Sequence, residues 1–188
     1  MKRITIFASG TGTNAKAILQ HFRHNPGVKV EGIICNKPNA KVIDVAQEFQ
    51  VPYYLISKTD LYESDHVLNL LISSASDLVV LAGFLWLIPE NILQEFPKRI
   101  INIHPALLPA HGGPGMYGSK VHEAVLQANE KETGITIHYL NEKYDEGEII
   151  LQQHVAVDAD DTAETIATKV HALEHEWYPK VIEKVLLG

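Results

Sequence analysis

The sequence is poor in three features: cysteine, clustered basic residues and long apolar runs. Cys35 is the single cysteine among 188 residues, which excludes an internal disulfide and is typical of a protein in a reducing cytosol. It ends the short apolar run that begins at Gly32, where a small buried side chain is expected rather than a nucleophile.

Charge and hydropathy narrow the class of protein further. The chain has 16 Lys and Arg residues against 23 Asp and Glu residues, for a formal net charge of −7, and the basic residues form no long run. This pattern gives no indication of a nucleic-acid or membrane partner. No apolar run approaches the ~20 residues of a membrane-spanning helix, and residues 1–7 are too short and too β-rich for a signal peptide. We expect a cytoplasmic protein that acts on small molecules.

Short apolar runs alternate with amphipathic stretches over the first hundred residues. The runs are typical of buried strands, and the stretches carry apolar residues at helical spacing. The expected strands are Ile4–Phe7, Val28–Cys35, Tyr53–Ile56, Leu78–Ala82 and Ile100–His104, and the expected helices are Asn14–His24, Ala40–Phe49, Asp60–Ala75 and Pro89–Phe96. Repeated strand–helix units predict an α/β fold, a Rossmann-like three-layer sandwich around a mostly parallel central sheet.

The pattern changes after residue 105. A glycine-rich loop leads to a helix near Lys120–Asn129, and two longer strands follow near Thr133–Leu140 and Glu148–Val157. Their short connection predicts an antiparallel C-terminal strand pair. Asp161 and Thr162 are the candidate caps of a long final helix that runs almost to the end of the sequence. No linker or repeat interrupts these elements, so we expect one domain.

The strand expected at Ile100–His104 ends in polar residues followed by Pro105. Side chains alternate along a strand, so Asn102 and His104 point to the same face. In open α/β sheets, ligands bind just beyond the carboxyl ends of the strands. An amide and an imidazole directed into that crevice suit the stabilisation of an oxyanion. Two satisfied polar groups at a strand end explain the pattern equally well.

A second candidate site is the glycine loop at residues 9–14, directly after the first strand. Glycines let the backbone approach a ligand, and the free N–H groups of the next helix favour an anion. The string matches a dinucleotide fingerprint, but that motif needs an acidic residue about 20 positions later, which the second strand does not supply. The side chains of Thr11, Thr13 and Asn14 favour a phosphate monoester, and a purely structural turn is the remaining alternative.

The last helix contains a five-residue string that resembles a zinc-peptidase motif. His171 and His175 lie four residues apart, so both could face one ion, with Glu174 between them. A catalytic zinc needs a third protein ligand, and the sequence indicates none. We favour a different interpretation, in which Glu174 accepts hydrogen bonds from ribose hydroxyls and His171 faces the phosphate.

The connection at residues 141–147 carries four charged side chains and a glycine. Most acids in such a loop are solvated, which is the default interpretation for Glu142 and Glu146. Asp145 reaches the imidazole of His104 if the antiparallel pair packs beside that strand. A carboxylate there would raise the pKa of His104 and favour the imidazolium, which can stabilise a developing oxyanion.

Together these segments resemble the glycinamide ribonucleotide (phosphoribosylglycinamide) formyltransferases of the folate-dependent formyltransferase family, along essentially the whole chain. The segment at 102–109 with a distant aspartate is typical of folate-dependent formyltransferases as a group, and the glycine loop is typical of the glycinamide ribonucleotide enzymes. The matching segments are Ser9–Asn14, Val79–Phe84, Asn102–Pro109, Gly134–His138, Asp145–Gly147, Ile150–Gln152 and Glu174–His175.

The resemblance implies a reaction and an organisation. The reaction would transfer the formyl group of 10-formyltetrahydrofolate to the amine of glycinamide ribonucleotide in purine biosynthesis, by direct attack through a tetrahedral intermediate and without a metal. Residues 1–188 would form a single formyltransferase domain, with the phosphate side in the N-terminal half and the folate and catalytic side in the C-terminal half. The protein would act as a monomer or homodimer.

The resemblance also implies three groups of site residues. The catalytic residues would be Asn102, His104 and Asp145. The phosphate and ribose of the acceptor would be bound by Gly12, Thr13, Asn14, His171 and Glu174. The folate would lie against Leu85, Trp86, Leu87, Ile88, Leu140, Asn141 and Tyr144.

Several points stay open at the level of the sequence. Trp86 stands where many relatives have Arg or Lys, which leaves contacts with the glutamate tail of the folate undefined. Residues 111–118 are either a flap over the substrate or an ordinary surface loop. The sharp turn at Leu108-Pro109 predicts a cis peptide.

The alternative functions are formyl transfer to the amine of a nucleotide sugar, a zinc peptidase and a non-catalytic nucleotide-binding domain.

Overall fold

The computed structural model describes residues 1–142 and 145–188, which contain seven strands and seven helices. The strands are β1 (Lys2–Ala8), β2 (Val28–Cys35), β3 (Tyr53–Leu55), β4 (Leu78–Leu81), β5 (Ile100–His104), β6 (Glu132–Tyr139) and β7 (Ile149–Ala156). The helices are α1 (Thr13–Phe22), α2 (Val42–Glu48), α3 (Lys58–Tyr62), α4 (His66–Ser73), α5 (Glu90–Glu95), α6 (Ser119–Gln127) and α7 (Ala163–Leu187).

The strands form one sheet in the order β3-β2-β1-β4-β5-β6-β7. The first five strands are parallel, β6 is antiparallel to β5, and β7 is antiparallel to β6. Helices cover both faces. Apolar residues of α1, α2, α6 and α7 pack into one core cluster, and those of α3, α4 and α5 pack into the other. The expected three-layer α/β sandwich with an antiparallel C-terminal pair is confirmed.

The register between β5 and β6 determines which polar residues meet at the end of the sheet. Asn102 pairs with His138, and His104 pairs with Thr136. Residues directly opposite each other on neighbouring strands share a face, so these four side chains lie on the same side of the sheet. This arrangement places two imidazoles and one carboxamide within reach of each other.

The antiparallel hairpin of β6 and β7 depends on two glycines where the backbones approach closely. A Cβ atom at Gly134 would overlap the carbonyl oxygen of Gln153, and one at Gly147 would overlap the carbonyl oxygen of Tyr139. No other residue type fits at either position without moving the partner strand.

One helix differs from its prediction. The single helix expected at Asp60–Ala75 is two helices, α3 and α4, separated at residues 63–65. Ser64 explains the break, because its hydroxyl donates to the carbonyl of Asp60 and accepts from the N–H of His66. Such local side-chain bonds compete with the helical ladder. The prediction of one continuous helix is therefore wrong.

The final helix begins where the sequence indicates. Thr162 caps α7, because its hydroxyl accepts a hydrogen bond from the N–H of Thr165, whose own hydroxyl accepts one from the N–H of Thr162. Within residues 1–142 and 145–188, no helix combines the length and apolarity needed to cross a membrane.

Candidate active site

A cleft of about 600 Å³ lies beyond the carboxyl ends of the parallel strands β1, β4 and β5. Its walls include the loop after β1, the segment after β4, the end of β5 and parts of α6 and α7. Every described residue of the expected site lines this cleft: Gly12, Thr13, Asn14, Leu85, Trp86, Leu87, Ile88, Asn102, His104, Leu140, Asn141, Asp145, His171 and Glu174. Tyr144, an expected folate contact, lies outside the described residues.

Three of these residues meet at the centre of the cleft. His104 is 3% exposed, and its Nδ1 lies 3.5 Å from Oδ2 of Asp145. Its Nε2 lies 2.8 Å from the carbonyl oxygen of His111. Because a carbonyl oxygen only accepts hydrogen bonds, Nε2 must carry a hydrogen and donate it. His104 therefore has a hydrogen on Nε2 that it can donate to an acceptor in the cleft.

His138, which the sequence did not single out as a site residue, orients Asn102. Its Nδ1 donates to the carbonyl oxygen of Tyr139 at 3.0 Å. Its Nε2 lies 3.3 Å from Nδ2 of Asn102 and accepts a hydrogen bond from that amide when Nε2 carries no hydrogen. A protonated Nε2 instead faces the carboxylate of Asp145. The second N–H of the Asn102 amide remains for a ligand. The sequence could reveal this contact only through the pairing of two distant strands.

Asp145 lies between the two imidazoles. Its Oδ1 is 3.6 Å from Nε2 of His138, and its Oδ2 accepts a hydrogen bond from the N–H of Gly113 at 3.0 Å. Burial alone would raise the pKa of Asp145, but the contacts with His138, His104 and the Gly113 N–H outweigh burial and lower it. Asp145 is therefore a carboxylate at neutral pH.

The protonation of His104 differs from the expectation. Burial lowers the pKa of His104 below its ordinary value, and this effect is larger than the opposing attraction of Asp145. The prediction of a raised pKa is therefore wrong, because the sequence does not reveal how completely the ring is buried. A neutral His104 still presents its Nε2–H as a donor.

The glycine loop after β1 lines the cleft and is suited to bind an anion. Gly12 precedes α1 with a φ of 76°, a left-handed conformation that favours glycine. A Cβ atom at Gly12 would lie 2.8 Å from Val42, so the loop and α2 are in close contact. The N–H groups of the first turn of α1 are available for an anion. Lys37, exposed at the end of β2, lines the same region and adds a cation that the sequence prediction missed.

Glu174 and Asn14 form a buried polar pair beside this loop. Nδ2 of Asn14 donates to Oε2 of Glu174 at 3.0 Å, while Oδ1 of Asn14 is buried and has no hydrogen-bond partner among the described residues. His171 lies at the rim, with its Nε2 4.0 Å from Oε2 of Glu174. Burial raises the pKa of Glu174 to about 7, against the opposing effect of Asn14. A carboxyl group held in this way is suited to hydroxyl groups of a ligand.

The buried carboxyl of Glu174 is expected to make the protein less stable as the pH rises. Since its pKa is raised from 4.5 to about 7 on folding, the folded state binds more protons than the unfolded state between these values. The contribution of this carboxyl group to the free energy of unfolding is fully present below about pH 4.5 and is lost up to about pH 7, by on the order of 3 kcal/mol. We expect the free energy of unfolding of Glu174→Gln, measured in urea at pH 5 and pH 8, to change in the stabilising direction relative to the unaltered protein as the pH rises.

The matched control for Glu174→Gln is Glu176→Gln on the exposed face of the same helix, which should retain the pH dependence of the unaltered protein. Identical stability profiles for Glu174→Gln and the unaltered protein would contradict the assigned burial effect.

An apolar wall forms the third part of the cleft. Leu85 and Leu87 are 40% and 41% exposed, whereas Ile88 is buried. Trp86 packs against Phe84 and Tyr62, with ring centroids 6.1 Å and 6.3 Å apart. The Tyr62 hydroxyl donates to the carbonyl oxygen of Leu87 at 3.0 Å. These contacts hold exposed apolar side chains in position, which suits a flat aromatic ligand.

The segment after β5 closes the cleft on the side of His104. The bond between Leu108 and Pro109 is cis, as expected from the sequence. Thr136 supports this turn, because its hydroxyl donates to the carbonyl of Ala106 at 2.7 Å and accepts from the N–H of Leu108 at 2.9 Å. The following loop lines the cleft at Gly113, Gly115 and residues 116–118. Whether it acts as a flap stays a prediction.

The zinc-peptidase motif does not form a metal centre in the described part of the chain. The rings of His171 and His175 are stacked, with centroids 6.2 Å apart. Among residues 1–142 and 145–188, no group of three or more His, Cys, Asp or Glu side chains is arranged to hold a metal ion.

Comparison with known proteins identifies the family. The formyl transferase family matches residues 2–182. The chain is 38% identical to the phosphoribosylglycinamide formyltransferase of Bacillus subtilis, over 99% of this chain and 95% of that protein. A crystal structure of phosphoribosylglycinamide formyltransferase from Bacillus halodurans superposes with a TM-score of 0.88 at 39% identity, over 99% of this chain and 96% of that one.

A second solved structure, glycinamide ribonucleotide transformylase 1 from Geobacillus kaustophilus, superposes with a TM-score of 0.89 at 35% identity and covers 99% of both chains. The family match covers nearly the whole sequence, and these relatives are similar to the chain over its full length in both sequence and fold. This chain belongs to the formyl transferase family.

Proposed function

We propose that this protein transfers the formyl group of 10-formyltetrahydrofolate to the amine of glycinamide ribonucleotide, a step of purine biosynthesis. The observation that carries the proposal is the combination of groups that line one cleft. The glycine loop after β1, the donors of Asn102 and His104 with the Asp145 carboxylate, and the apolar wall of residues 85–88 all border it. A phosphorylated acceptor and a flat formyl donor would therefore meet at the central residues.

The acceptor would enter with its phosphate at the glycine loop. Gly12, Thr13 and Asn14 offer backbone and side-chain donors to a phosphate monoester, and Lys37 adds a positive charge. Glu174 would accept hydrogen bonds from the ribose hydroxyls, with His171 at the rim. This orientation directs the glycinamide amine toward His104. A nucleotide sugar, the alternative acceptor, would need room for a diphosphate and a base.

The formyl donor would lie against the apolar wall. The formyl transferase family implies a folate-derived donor, and 10-formyltetrahydrofolate is the specific donor that we propose. Its pterin ring would pack on residues 85–88 and beside Leu140 and Asn141, which line the same part of the cleft. The sequence also suggests Tyr144 for this surface.

Formyl transfer would proceed by direct attack of the amine on the formyl carbon. The new carbon–nitrogen bond forms as the carbonyl becomes an oxyanion, which the Nδ2–H of Asn102 and the Nε2–H of His104 would stabilise. The formyl oxygen would replace the His111 carbonyl as the partner of His104. Asp145 would receive a proton from the attacking amine and return it, through water, to the departing folate nitrogen as that carbon–nitrogen bond breaks.

The wider organisation follows from the same proposal. Residues 1–188 would act as one domain, with the phosphate side in the N-terminal half and the catalytic and folate side in the C-terminal half. The protein would work in the cytoplasm as a monomer or homodimer, on small molecules without a metal. Sedimentation of the purified protein would distinguish monomer from dimer.

The direct test is the absorbance change on tetrahydrofolate formation from 10-formyltetrahydrofolate. We expect turnover with glycinamide ribonucleotide, none without an acceptor, and none with an amino nucleotide sugar. Turnover with the amino sugar alone would favour the alternative acceptor. Slow hydrolysis of the donor without transfer to either amine would reject the proposal.

A further inference from the structure

His122 is a buried imidazole that the proposed mechanism does not use. It lies in α6, is 2% exposed, and lines the cleft. Its Nδ1 is buried without a hydrogen-bond partner among the described residues. Leaving a buried polar group unpaired is costly, so such a group in a native protein needs an explanation.

The burial of Nδ1 indicates which nitrogen carries the hydrogen. Orphaned N–H donors are rarer in proteins than under-satisfied acceptors, so the unpaired Nδ1 is the bare acceptor. The neutral ring then has its hydrogen on Nε2. Since Nδ1 is sealed from solvent, the Nε2 edge is the polar edge of the ring that can face the cleft.

His122 lies within electrostatic reach of residues in both functional halves of the cleft. Burial lowers the pKa of His122, and repulsion from His171 and His104, when those rings are protonated, lowers it further. His171 belongs to the acceptor-phosphate side of the proposed site and His104 to the reaction centre, so His122 is near enough to sense the charge of either. A neutral donor at this position suits an uncharged oxygen better than a phosphate.

We propose that Nε2–H of His122 donates a hydrogen bond to the amide carbonyl oxygen of glycinamide ribonucleotide. This inference rests on the proposed acceptor. In that acceptor the amide group links the ribose to the glycyl amine, so it must lie between the Glu174 side and His104. The contact makes His122 a specificity residue: it selects an acceptor with a carbonyl oxygen at that point of the molecule.

The test compares two ligands and two substitutions by calorimetry. Ribose 5-phosphate carries the phosphate and ribose of the acceptor but lacks the amide. His122→Phe removes both ring nitrogens, whereas His122→Gln keeps an N–H donor near the position of Nε2. We expect His122→Phe to weaken binding of glycinamide ribonucleotide about 10-fold and leave ribose 5-phosphate unchanged. His122→Gln should retain most of the affinity for both.

Gln127→Ala, on the exposed side of the same helix, is the matched control and should bind both ligands normally. Equal loss of both ligands in His122→Phe, or loss of neither, would overturn the inference. If His122→Phe does not fold, His122→Asn takes its place, because the amide of Asn would lie near the position of Nδ1 rather than Nε2. Affinities of His122→Asn for both ligands equal to those of the unaltered protein would then overturn the inference. Turnover of the unaltered protein tests the proposed function separately, because these binding measurements do not require the reaction to occur.

Discussion

Replacing His104 with alanine is expected to reduce kcat for formyl transfer by roughly 10²–10³-fold. The substitution removes the Nε2–H donor that would face the oxyanion, and the loss of one such donor costs about 2.7–4 kcal/mol of transition-state stabilisation. The effect should fall mainly on kcat, because the oxyanion develops only in the transition state. The measurement is the initial rate of tetrahydrofolate formation at saturating concentrations of both substrates.

The fold should survive this substitution, since His104 lies at the end of β5 and the apolar residues Ile100, Ile101 and Ile103 of the strand are unchanged. Circular dichroism and a thermal melt would verify this. His154→Ala, which removes an exposed imidazole from β7, is the matched control and should leave kcat unchanged. A kcat near that of the unaltered protein in His104→Ala would exclude His104 from the reaction.

Replacing Asp145 with asparagine is expected to lower kcat by at least 10²-fold. The change removes the carboxylate that would move the proton from the amine to the departing nitrogen, and proton transfer by a positioned group typically contributes 10²–10⁴-fold. Asparagine is preferred to alanine because Asp145 has a φ of 53°, a left-handed conformation that asparagine tolerates well. The KM values of both substrates should change less than kcat.

Glu142→Gln provides the control for Asp145→Asn, because it makes the same chemical change at an exposed position of the same loop. Its kcat should equal that of the unaltered protein. Equal activity of both variants would show that the reaction needs no carboxylate at residue 145, and another group would have to carry the proton.

Local patterns in the sequence were sufficient for most of the fold. The strand ending at His104, the glycine loop after β1 and the capped start of α7 each depend on a few neighbouring residues, and each has the expected form. The break between α3 and α4 was missed because a serine side chain, rather than a glycine or proline, interrupts the helix.

The contacts at the centre of the cleft were harder to predict. His138 orients Asn102 through a register between β5 and β6 that no short segment of sequence specifies. The lowered pKa of His104 arises from burial by the whole fold, whereas the sequence indicated only its carboxylate neighbour. His122 and Lys37 lie far from the motifs along the chain and reach the cleft through packing alone.

The close approach of the backbones at Gly147 and Tyr139 limits which residues of the neighbouring connection can be changed to alter specificity for the formyl donor. Because a side chain at Gly147 would overlap the carbonyl oxygen of Tyr139, glycine at this position keeps the end of the connection close to the end of β6. Asp145 stands two residues earlier and keeps its reach toward His104 as long as this close approach is preserved. Substitutions at Leu140 and Asn141 would therefore alter the proposed folate surface while leaving the proposed proton-transfer group in place.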